Sequence, residues 1–239
     1  GCPFFVVHER TEIGDAESVV APVPALCEGF LGAAGLGSVR PRGVAIAPVQ
    51  MGDPGSDRAF AERVPFALAS AMRELESFTG RRHDFIERSP GPGAGVALVG
   101  AGLLGRSLLA DVIRRTEGGH DVVALRVVAW RPFPAPQIVK ALGRALAVTV
   151  LERVDQPLAG SSPLATQIKA AFADAMTWAP DYPGVGRIPR IVSGFVAADV
   201  DLGSADIDAV VHNLQTGDHG KRYFVLRGDP AHSLPPPPA

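Results

Sequence analysis

The stretch DVVALRVVAWRPFPAPQIVKALGRALAVTVLER, residues 121–153, decides the fold of this chain. It opens with an apolar run at 122–130 whose β-branched residues predict a strand buried on both faces. The RPFP after this run ends the strand, because proline has no N–H for a ladder and the residue before it avoids helical angles. A short helix led by Pro136 and a second buried strand at 148–151 complete a strand–helix–strand crossover. Crossovers of this kind build parallel sheets.

The same alternation of strands and helices continues on both sides of this crossover. Further buried strands are predicted at residues 96–99, 191–195 and 223–226. Helices with one apolar stripe are predicted around Leu104, Leu108 and Val112; Ile138, Val139, Leu142 and Leu146; Leu164, Ile168, Ala171, Phe172 and Ala175; and Ile207, Val210, Val211 and Leu214. We therefore expect an α/β fold with a mostly parallel sheet and helices on both of its faces.

Residues 1–57 are the least regular part of the chain, with short strands expected at 4–7 and 18–20 and many glycines and prolines after residue 29. We interpret this part as the loop-rich tail of another domain, and the chain as a piece of a longer protein. An amphipathic helix is predicted after it, with apolar residues from Val64 to Phe78, Pro65 in its first turn and Gly80 at its end.

Composition excludes several classes of function. The formal net charge of −2 over 239 residues gives no electrostatic case for binding nucleic acid or an anionic membrane. No apolar run approaches the roughly 20 residues that a transmembrane helix needs. The two cysteines, Cys2 and Cys27, form no CxxC pair, so we expect no zinc or iron–sulfur site and interpret both as free thiols in a cytoplasmic protein.

A glycine motif, GAGLLG from Gly100 to Gly105, comes after a predicted strand and opens a predicted helix. This is the context of a dinucleotide-binding turn, in which a pyrophosphate sits at the helix N-terminus. Such a site also needs an acid at the end of the next strand to hold the ribose, and that strand carries only Arg126 and Arg131. The sequence favours a tight turn that packs a helix against the sheet, with a nucleotide site as the alternative.

No catalytic residue can be assigned from local sequence. The six histidines show no metal-ligand spacing, and Ser161, Ser162 and Ser193 lie outside any GxSxG motif. Glu152 and Asp155 come after a strand and are candidates for acid–base work, but they equally suit ion pairs with Arg153. We interpret Lys169 and Lys221 as surface residues.

Residues 122–160 resemble a segment of the pyruvate:ferredoxin (flavodoxin) oxidoreductases, within the 2-oxoacid:acceptor oxidoreductase family. The shared pattern is a buried strand, RPFP at 131–134, a short helix ending in Ala141-Leu142, and a strand closing in Leu151-Glu152-Arg153. Further similarity, in FTGR at 78–81, PRIVSG at 189–194 and GDPAHSL at 228–234, extends the resemblance over residues 58–239. The chain departs from the family pattern at 193–199, where the family has a glycine-rich stretch, and in the segment with Phe4-Phe5 and Arg10-Thr11. These departures leave open a 2-oxoacid other than pyruvate, or a divergent paralogue.

The resemblance implies that residues 67–239 are the family's second domain, similar to the transketolase C-terminal domain and ending in a Pro-rich linker. Residues 1–66 would be the tail of a pyrimidine-binding domain. For the complete enzyme it implies thiamine diphosphate, Mg²⁺, iron–sulfur clusters, coenzyme A, a ferredoxin or flavodoxin partner and a homodimer. None of these cofactors is expected to bind within this chain, which would be an architectural fragment or subunit, inactive by itself.

Arg131 and Arg153 come directly after parallel strands, at the edge where α/β sheets place functional groups. We hypothesise that both line an interdomain cleft near the acyl acceptor; alternatively they cap helices or pair with Glu152 and Asp155. Two other interpretations of the whole chain stay open. One is an NAD(P)-binding Rossmann domain that uses residues 100–105, and the other is a non-catalytic interaction subunit.

Overall fold

The computed structural model describes residues 54–91, 95–116, 121–154, 156, 158–197, 202–226 and 233–234, together with Val23 and Ala25. The chain divides into two compact units, one at Ile13–Phe85 and one formed by Ile86–Ala239 with Gly1–Glu12. The strands expected at 4–7 and 18–20 and both cysteines lie outside the described residues.

The first unit contains a 26-residue helix, α1 (Pro54–Thr79). It ends at Gly80, which has a φ of 67° and donates its N–H to the carbonyl oxygen of Glu76 at 2.8 Å. The expected helix and its C-terminal glycine are thus confirmed. The expected position of Pro65 in the first turn was wrong, since the helix begins at Pro54 and Pro65 lies inside it. Pro54 already supplies the fixed φ that suits a first helical residue.

The second unit is built on a six-stranded sheet. Its strands are β1 (Ile86–Arg88), β2 (Val96–Ala101), β3 (Val122–Val127), β4 (Ala147–Glu152), β5 (Arg190–Val196) and β6 (Tyr223–Leu226). Its helices are α2 (Gly102–Thr116), α3 (Ala135–Leu142), α4 (Pro163–Met176) and α5 (Ser204–Gln215), with a 3₁₀ turn at Gly217–His219.

The strand order is β1-β3-β2-β4-β5-β6, with β1 antiparallel to β3 and all other neighbours parallel. After β2 the chain moves outward to β3, and after β3 it crosses back over β2 to form β4. The connections therefore diverge between β2 and β4. In open α/β sheets the crevice at such a switch point, at the carboxyl ends of the strands, is where ligands bind.

Helices cover both faces of this sheet, as the sequence predicts. One apolar layer is formed with α2 and α5, through side chains such as Leu108, Val112 and Val210. The other is formed with α3 and α4, through Ile138, Ile168 and Phe172. Each strand of the central four contributes alternate side chains to the two layers, which explains their near-continuous apolar sequences. The predicted α/β class is therefore confirmed.

Three local expectations differ from the structure. The edge strand β1 was not predicted, because IER shows neither an apolar run nor an alternation. β3 ends at Val127 and not at Trp130, since its neighbour β2 ends at Ala101, the partner of Val127. Leu146 lies beyond the end of α3 and is 55% exposed instead of packed on its stripe. Its N–H donates to the carbonyl oxygen of Gly95, which leads the chain into β4.

None of the helices within the described ranges has the length and apolar character needed to cross a membrane.

Candidate functional site

The glycine turn after β2 serves close packing. A Cβ added to Gly105 would lie 2.6 Å from the carbonyl oxygen of Gly100, and one added to Gly100 would lie 3.1 Å from the Gly105 nitrogen. Gly102 between them has a φ of 58°, in the left-handed region that favours glycine. The three glycines thus let the first turn of α2 rest directly on the end of β2.

Arg126 on β3 crosses the start of α2, next to this turn. Its Nε donates to the carbonyl oxygen of Gly102 at 2.9 Å, and its Nη1 pairs with Glu87 Oε2 at 3.0 Å. A dinucleotide site needs a ribose-binding acid near this strand and open backbone N–H groups at the helix start. Here the Arg126 guanidinium is bound to the glycine turn, through Gly102, and to the Glu87 carboxylate of β1. The NAD(P)-binding alternative is therefore not favoured.

Glu152 ends β4 at the switch point and is buried, with 9% of its surface exposed. Its two carboxylate oxygens accept the N–H of Leu164 at 2.9 and 3.0 Å, and one of them accepts the N–H of Ala165 at 3.3 Å. A carboxylate at this place satisfies free N–H groups of α4 and interacts favourably with the helix dipole. Glu152 is thus bound to the first turn of α4, so it is not free for acid–base work and does not pair with Arg153.

The two arginines singled out from the sequence both lie at the carboxyl edge of the sheet. Arg153 comes directly after β4 and donates Nη1 to the carbonyl oxygen of Ala197, beyond β5, at 2.6 Å. Arg131 lies beyond β3, is exposed, and donates Nη1 to the carbonyl oxygen of Trp130 at 2.8 Å. Its guanidinium lies 5.5 Å from the centre of the Trp130 ring, which meets Phe133 edge-on at 6.2 Å. Among the described residues, no carboxylate pairs with Arg131.

The same edge carries an exposed apolar rim. Trp130 is 39% exposed, Val154 is 49% exposed and Leu158 is fully exposed. Single exposed apolar residues are common on protein surfaces, whereas contiguous apolar patches are typical of interaction surfaces. The rim and Arg131 together form a surface with apolar character and an available cation.

A cavity of about 490 Å³ opens at the opposite, amino edge of the sheet. Its wall is mainly apolar and includes Val96, Val122 and Leu214. Arg190 also lines it, but its Nη2 donates to the carbonyl oxygens of Leu214 at 2.6 Å and Asn213 at 3.3 Å, so it caps the C-terminus of α5. Asp121 and Gln215 also line this cavity. The carboxyl edge, where open α/β sheets place their ligand sites, remains the candidate site.

Sequence reasoning missed one polar group, in which Lys169 Nζ contacts Ser161 Oγ at 2.9 Å and Ser161 Oγ contacts Ser193 Oγ at 3.2 Å. The three residues are 8 and 24 positions apart along the chain, so no local pattern joins them. Lys169 and Lys221, interpreted from the sequence as surface residues, are both half-buried. Lys221 donates Nζ to the carbonyl oxygen of Ser233 at 2.7 Å.

Residues 94–188 match the family model "Pyruvate:ferredoxin oxidoreductase core domain II". The match covers 95 of the 239 residues of the chain. The matched residues contain β2 to β4, α2 to α4 and both arginines of the carboxyl edge, but not β5 or β6. The resemblance seen in the sequence is thereby confirmed.

The curated proteins that are similar to the chain include two enzymes or subunits named for pyruvate. A probable pyruvate-flavodoxin oxidoreductase of Escherichia coli is 26% identical over 163 residues, covering 66% of this chain and 13% of that protein. The pyruvate synthase subunit PorA of Pyrococcus furiosus is 28% identical over 92 residues, covering 38% of this chain and 23% of that protein. The chain thus spans less than a quarter of the length of either relative.

One solved structure is also similar, a 2-oxoglutarate:ferredoxin oxidoreductase from Magnetococcus marinus with 2-oxoglutarate, coenzyme A and succinyl-CoA bound. It shares 14% identity with a TM-score of 0.41, covering 69% of this chain and 23% of the solved chain.

The described residues offer no site that fits an iron–sulfur cluster or a bound metal ion. Iron–sulfur clusters take four thiolate ligands, and the whole sequence has two cysteines. Within the described ranges, no three His, Cys, Asp or Glu side chains gather where they could hold a metal ion. No step of the oxidoreductase chemistry is therefore assigned to these residues.

Proposed function

We propose that this chain is part of a thiamine diphosphate-dependent 2-oxoacid oxidoreductase that delivers electrons to ferredoxin or flavodoxin. The match of residues 94–188 to core domain II carries this proposal. Pyruvate is the substrate that the names of both curated relatives contain. Residues 67–239 would form the second domain and residues 1–66 the tail of the pyrimidine-binding domain. The complete enzyme would be a cytoplasmic homodimer that also binds Mg²⁺, iron–sulfur clusters and coenzyme A.

In this enzyme the chain would act as a rigid domain that holds others in place. Two observations support an architectural role: Glu152 at the end of β4 and Arg126 on β3 are each bound to backbone groups of their own fold. The exposed groups at the same edge are the apolar rim and the cation of Arg131. Such a surface suits the wall of a cleft between domains, in which an arginine binds a carboxylate or a phosphate of the acyl acceptor.

Alanine substitution of Arg131 and of Arg153, each in the complete enzyme, tests the cleft. For Arg131→Ala we expect KM for the acyl acceptor to rise about tenfold, since one charge-assisted hydrogen bond is worth roughly 1.5–3 kcal/mol. For Arg153→Ala we expect a smaller rise, because its guanidinium already donates to Ala197. Steady-state kinetics with the acceptor varied at saturating 2-oxoacid gives both constants.

The matched control is Arg144→Ala. Arg144 is an exposed arginine of the same domain, in the turn before β4 and thus at the amino edge of the sheet. Arg144→Ala removes the same charge from the opposite edge of the sheet, so it should leave kcat and KM unchanged. The cleft proposal fails if Arg131→Ala and Arg153→Ala also leave both constants unchanged in an enzyme that folds and binds its cofactors normally.

The isolated chain is expected to show no 2-oxoacid oxidation. Added to the remaining domains of the enzyme, it should form a complex that gel filtration detects, and Trp130→Ala should weaken that complex. A non-catalytic interaction subunit would be indicated instead if the sequence around this chain and its partner subunits contained no thiamine-binding domains.

A further inference from the structure

The cavity at the amino edge of the sheet has a floor made by the first residues of four neighbouring strands. The strand register places Val122, Val96, Ala147 and Arg190 side by side in one row across β3, β2, β4 and β5. All four line the cavity, together with Leu214 in the last turn of α5. Its volume of about 490 Å³ lies within the range of small-molecule sites, roughly 300–1,000 Å³.

Arg190 gives this cavity a cation whose position is fixed. Its Nη2 donates to the carbonyl oxygens of Leu214 and Asn213, which holds the guanidinium at the C-terminal end of α5. Nε and Nη1 make no hydrogen bond to another described residue and are not enclosed, so their N–H groups remain accessible. Within the part of the chain that the structure describes, no carboxylate pairs with Arg190. The guanidinium is thus held in place for an anion without being neutralised by one.

The charges of the cavity lie at its two ends. Asp121 directly precedes β3 and also lines the cavity, whereas Arg190 begins β5. β3 and β5 are three strand spacings apart, and at about 4.8 Å for each spacing their backbones are separated by roughly 14 Å. Between these ends the floor consists of the apolar residues Val122, Val96 and Ala147. The cavity therefore has a cation at one end, a carboxylate at the other end and an apolar wall between them.

We propose that this cavity is a binding site for an apolar monocarboxylate, with the carboxylate at Arg190 and the hydrocarbon body along Ala147 and Val96. A carboxylate only accepts hydrogen bonds, which matches the N–H donors of a guanidinium, and the hydrocarbon body removes apolar wall from water. An apolar amine would have to pair with Asp121, which is exposed, and exposed ion pairs contribute little. Arg190 is half-buried, so water and salt screen its pair with a carboxylate less.

Hexanoate tests the proposal in the complete 239-residue chain labelled with ¹⁵N. In ¹H–¹⁵N spectra we expect sodium hexanoate to shift the amide signals of Val96, Val122 and Leu214 along saturable curves, and to leave signals at the carboxyl edge unchanged. 1-Hexanol should bind at least tenfold more weakly, because it lacks the charge that pairs with Arg190. Adipate should also bind more weakly than hexanoate, since its second carboxylate would face the apolar wall and Asp121.

Variants locate the carboxylate end of the site. Gln215→Glu changes an exposed residue that lines the cavity next to Leu214, and it places a competing carboxylate near Arg190. We expect it to weaken hexanoate binding at least tenfold. Gln156→Glu is the matched control, because it makes the same change at an exposed glutamine beyond the end of β4, at the carboxyl edge, and should leave binding unchanged. Val211→Phe, at a half-buried lining residue of α5, should abolish binding by filling the cavity.

Three results would overturn the proposal. The first is that hexanoate shifts none of the cavity amides at tens of millimolar, on the order of the weakest specific binding. The second is that 1-hexanol binds as tightly as hexanoate, which would leave Arg190 without a role. The third is that Gln215→Glu binds hexanoate as tightly as the unmodified chain does. Sodium chloride at matched ionic strength should not reproduce the shifts. None of these measurements involves oxidoreductase activity, so their outcome is independent of the function proposed above.

Discussion

Gly105→Ala is expected to lower the free energy of unfolding of the sheet unit by about 3 kcal/mol, at the upper end of the usual cost of overpacking. The new Cβ would lie 2.6 Å from the carbonyl oxygen of Gly100 and 2.8 Å from Arg126 Cγ. The first contact is with backbone inside a strand, which cannot rotate away as a side chain does. To relieve it, α2 must move off β2, and this separates Leu104 and Leu108 from the core that they share with β2.

Helix propensity acts in the opposite direction and is too small to reverse this result. Alanine inside a helix is favoured over glycine by about 1 kcal/mol. Gly186→Ala is the matched control, because a Cβ there would have nothing within 4 Å and the residue is exposed. We expect it to change stability by less than about 0.5 kcal/mol. Urea unfolding followed by tryptophan fluorescence measures both variants in the sheet unit, which contains Trp130 and Trp178, the only two tryptophans of the chain.

The same experiment separates a packing turn from a nucleotide-binding turn. If these glycines served a pyrophosphate, Gly105→Ala would abolish NADPH binding and leave stability nearly unchanged. We expect the opposite: a marked loss of stability, and no saturable NADPH binding at micromolar concentration in the unmodified chain. An equal stability of Gly105→Ala and Gly186→Ala would contradict the close approach of α2 to β2.

The sequence predicts the crossover from β3 to β4 well because every local signal there agrees. An apolar run, two prolines and an apolar stripe each indicate the same boundary between strand and helix. Leu146 was wrongly assigned to α3 because its spacing continues the apolar stripe of that helix. Its N–H instead donates to the carbonyl oxygen of Gly95, and residue spacing cannot reveal such a hydrogen bond. β1 escaped prediction for a similar reason, since three residues are held by pairing with β3 and not by their own pattern.

The candidate sites were predictable to different extents. The position of Arg131 and Arg153 at the carboxyl edge was predictable, because residues that follow parallel strands all lie at one edge of the sheet, a rule that depends on strand direction alone. The partners of those arginines were not predictable, as Arg153 reaches a carbonyl 44 residues away. Lys169 lies on a helix and Ser193 on a strand, and tertiary packing decides which residues of these two elements face each other. Folding alone brings them together.

Glu152→Ala is expected to destabilise the sheet unit by about 3 kcal/mol, the range for breaking buried hydrogen bonds to a charged group. The carboxylate is buried at the end of β4 and holds the N–H groups of Leu164 and Ala165. Both of these residues are fully buried, so water does not readily replace the lost acceptor. The substitution also removes a negative charge from the N-terminus of α4, which costs up to about 1 kcal/mol by itself. Urea unfolding with the same fluorescence signal gives the change.

Asp206→Ala provides the comparison, because Asp206 also accepts a backbone N–H at a helix start. Its carboxylate accepts the Gly203 N–H at 2.9 Å at the beginning of α5, but the residue is only half-buried. Water can reach that N–H, and we expect a loss of about 1 kcal/mol, typical of a removed helix cap. Glu152→Gln should cost an amount of stability between the losses of Glu152→Ala and Asp206→Ala. Its amide oxygen keeps one acceptor, while its NH₂ group faces backbone donors. If Glu152→Ala were no worse than Asp206→Ala, the first turn of α4 would be hydrated, and Glu152 would be available for chemistry at the switch point after all.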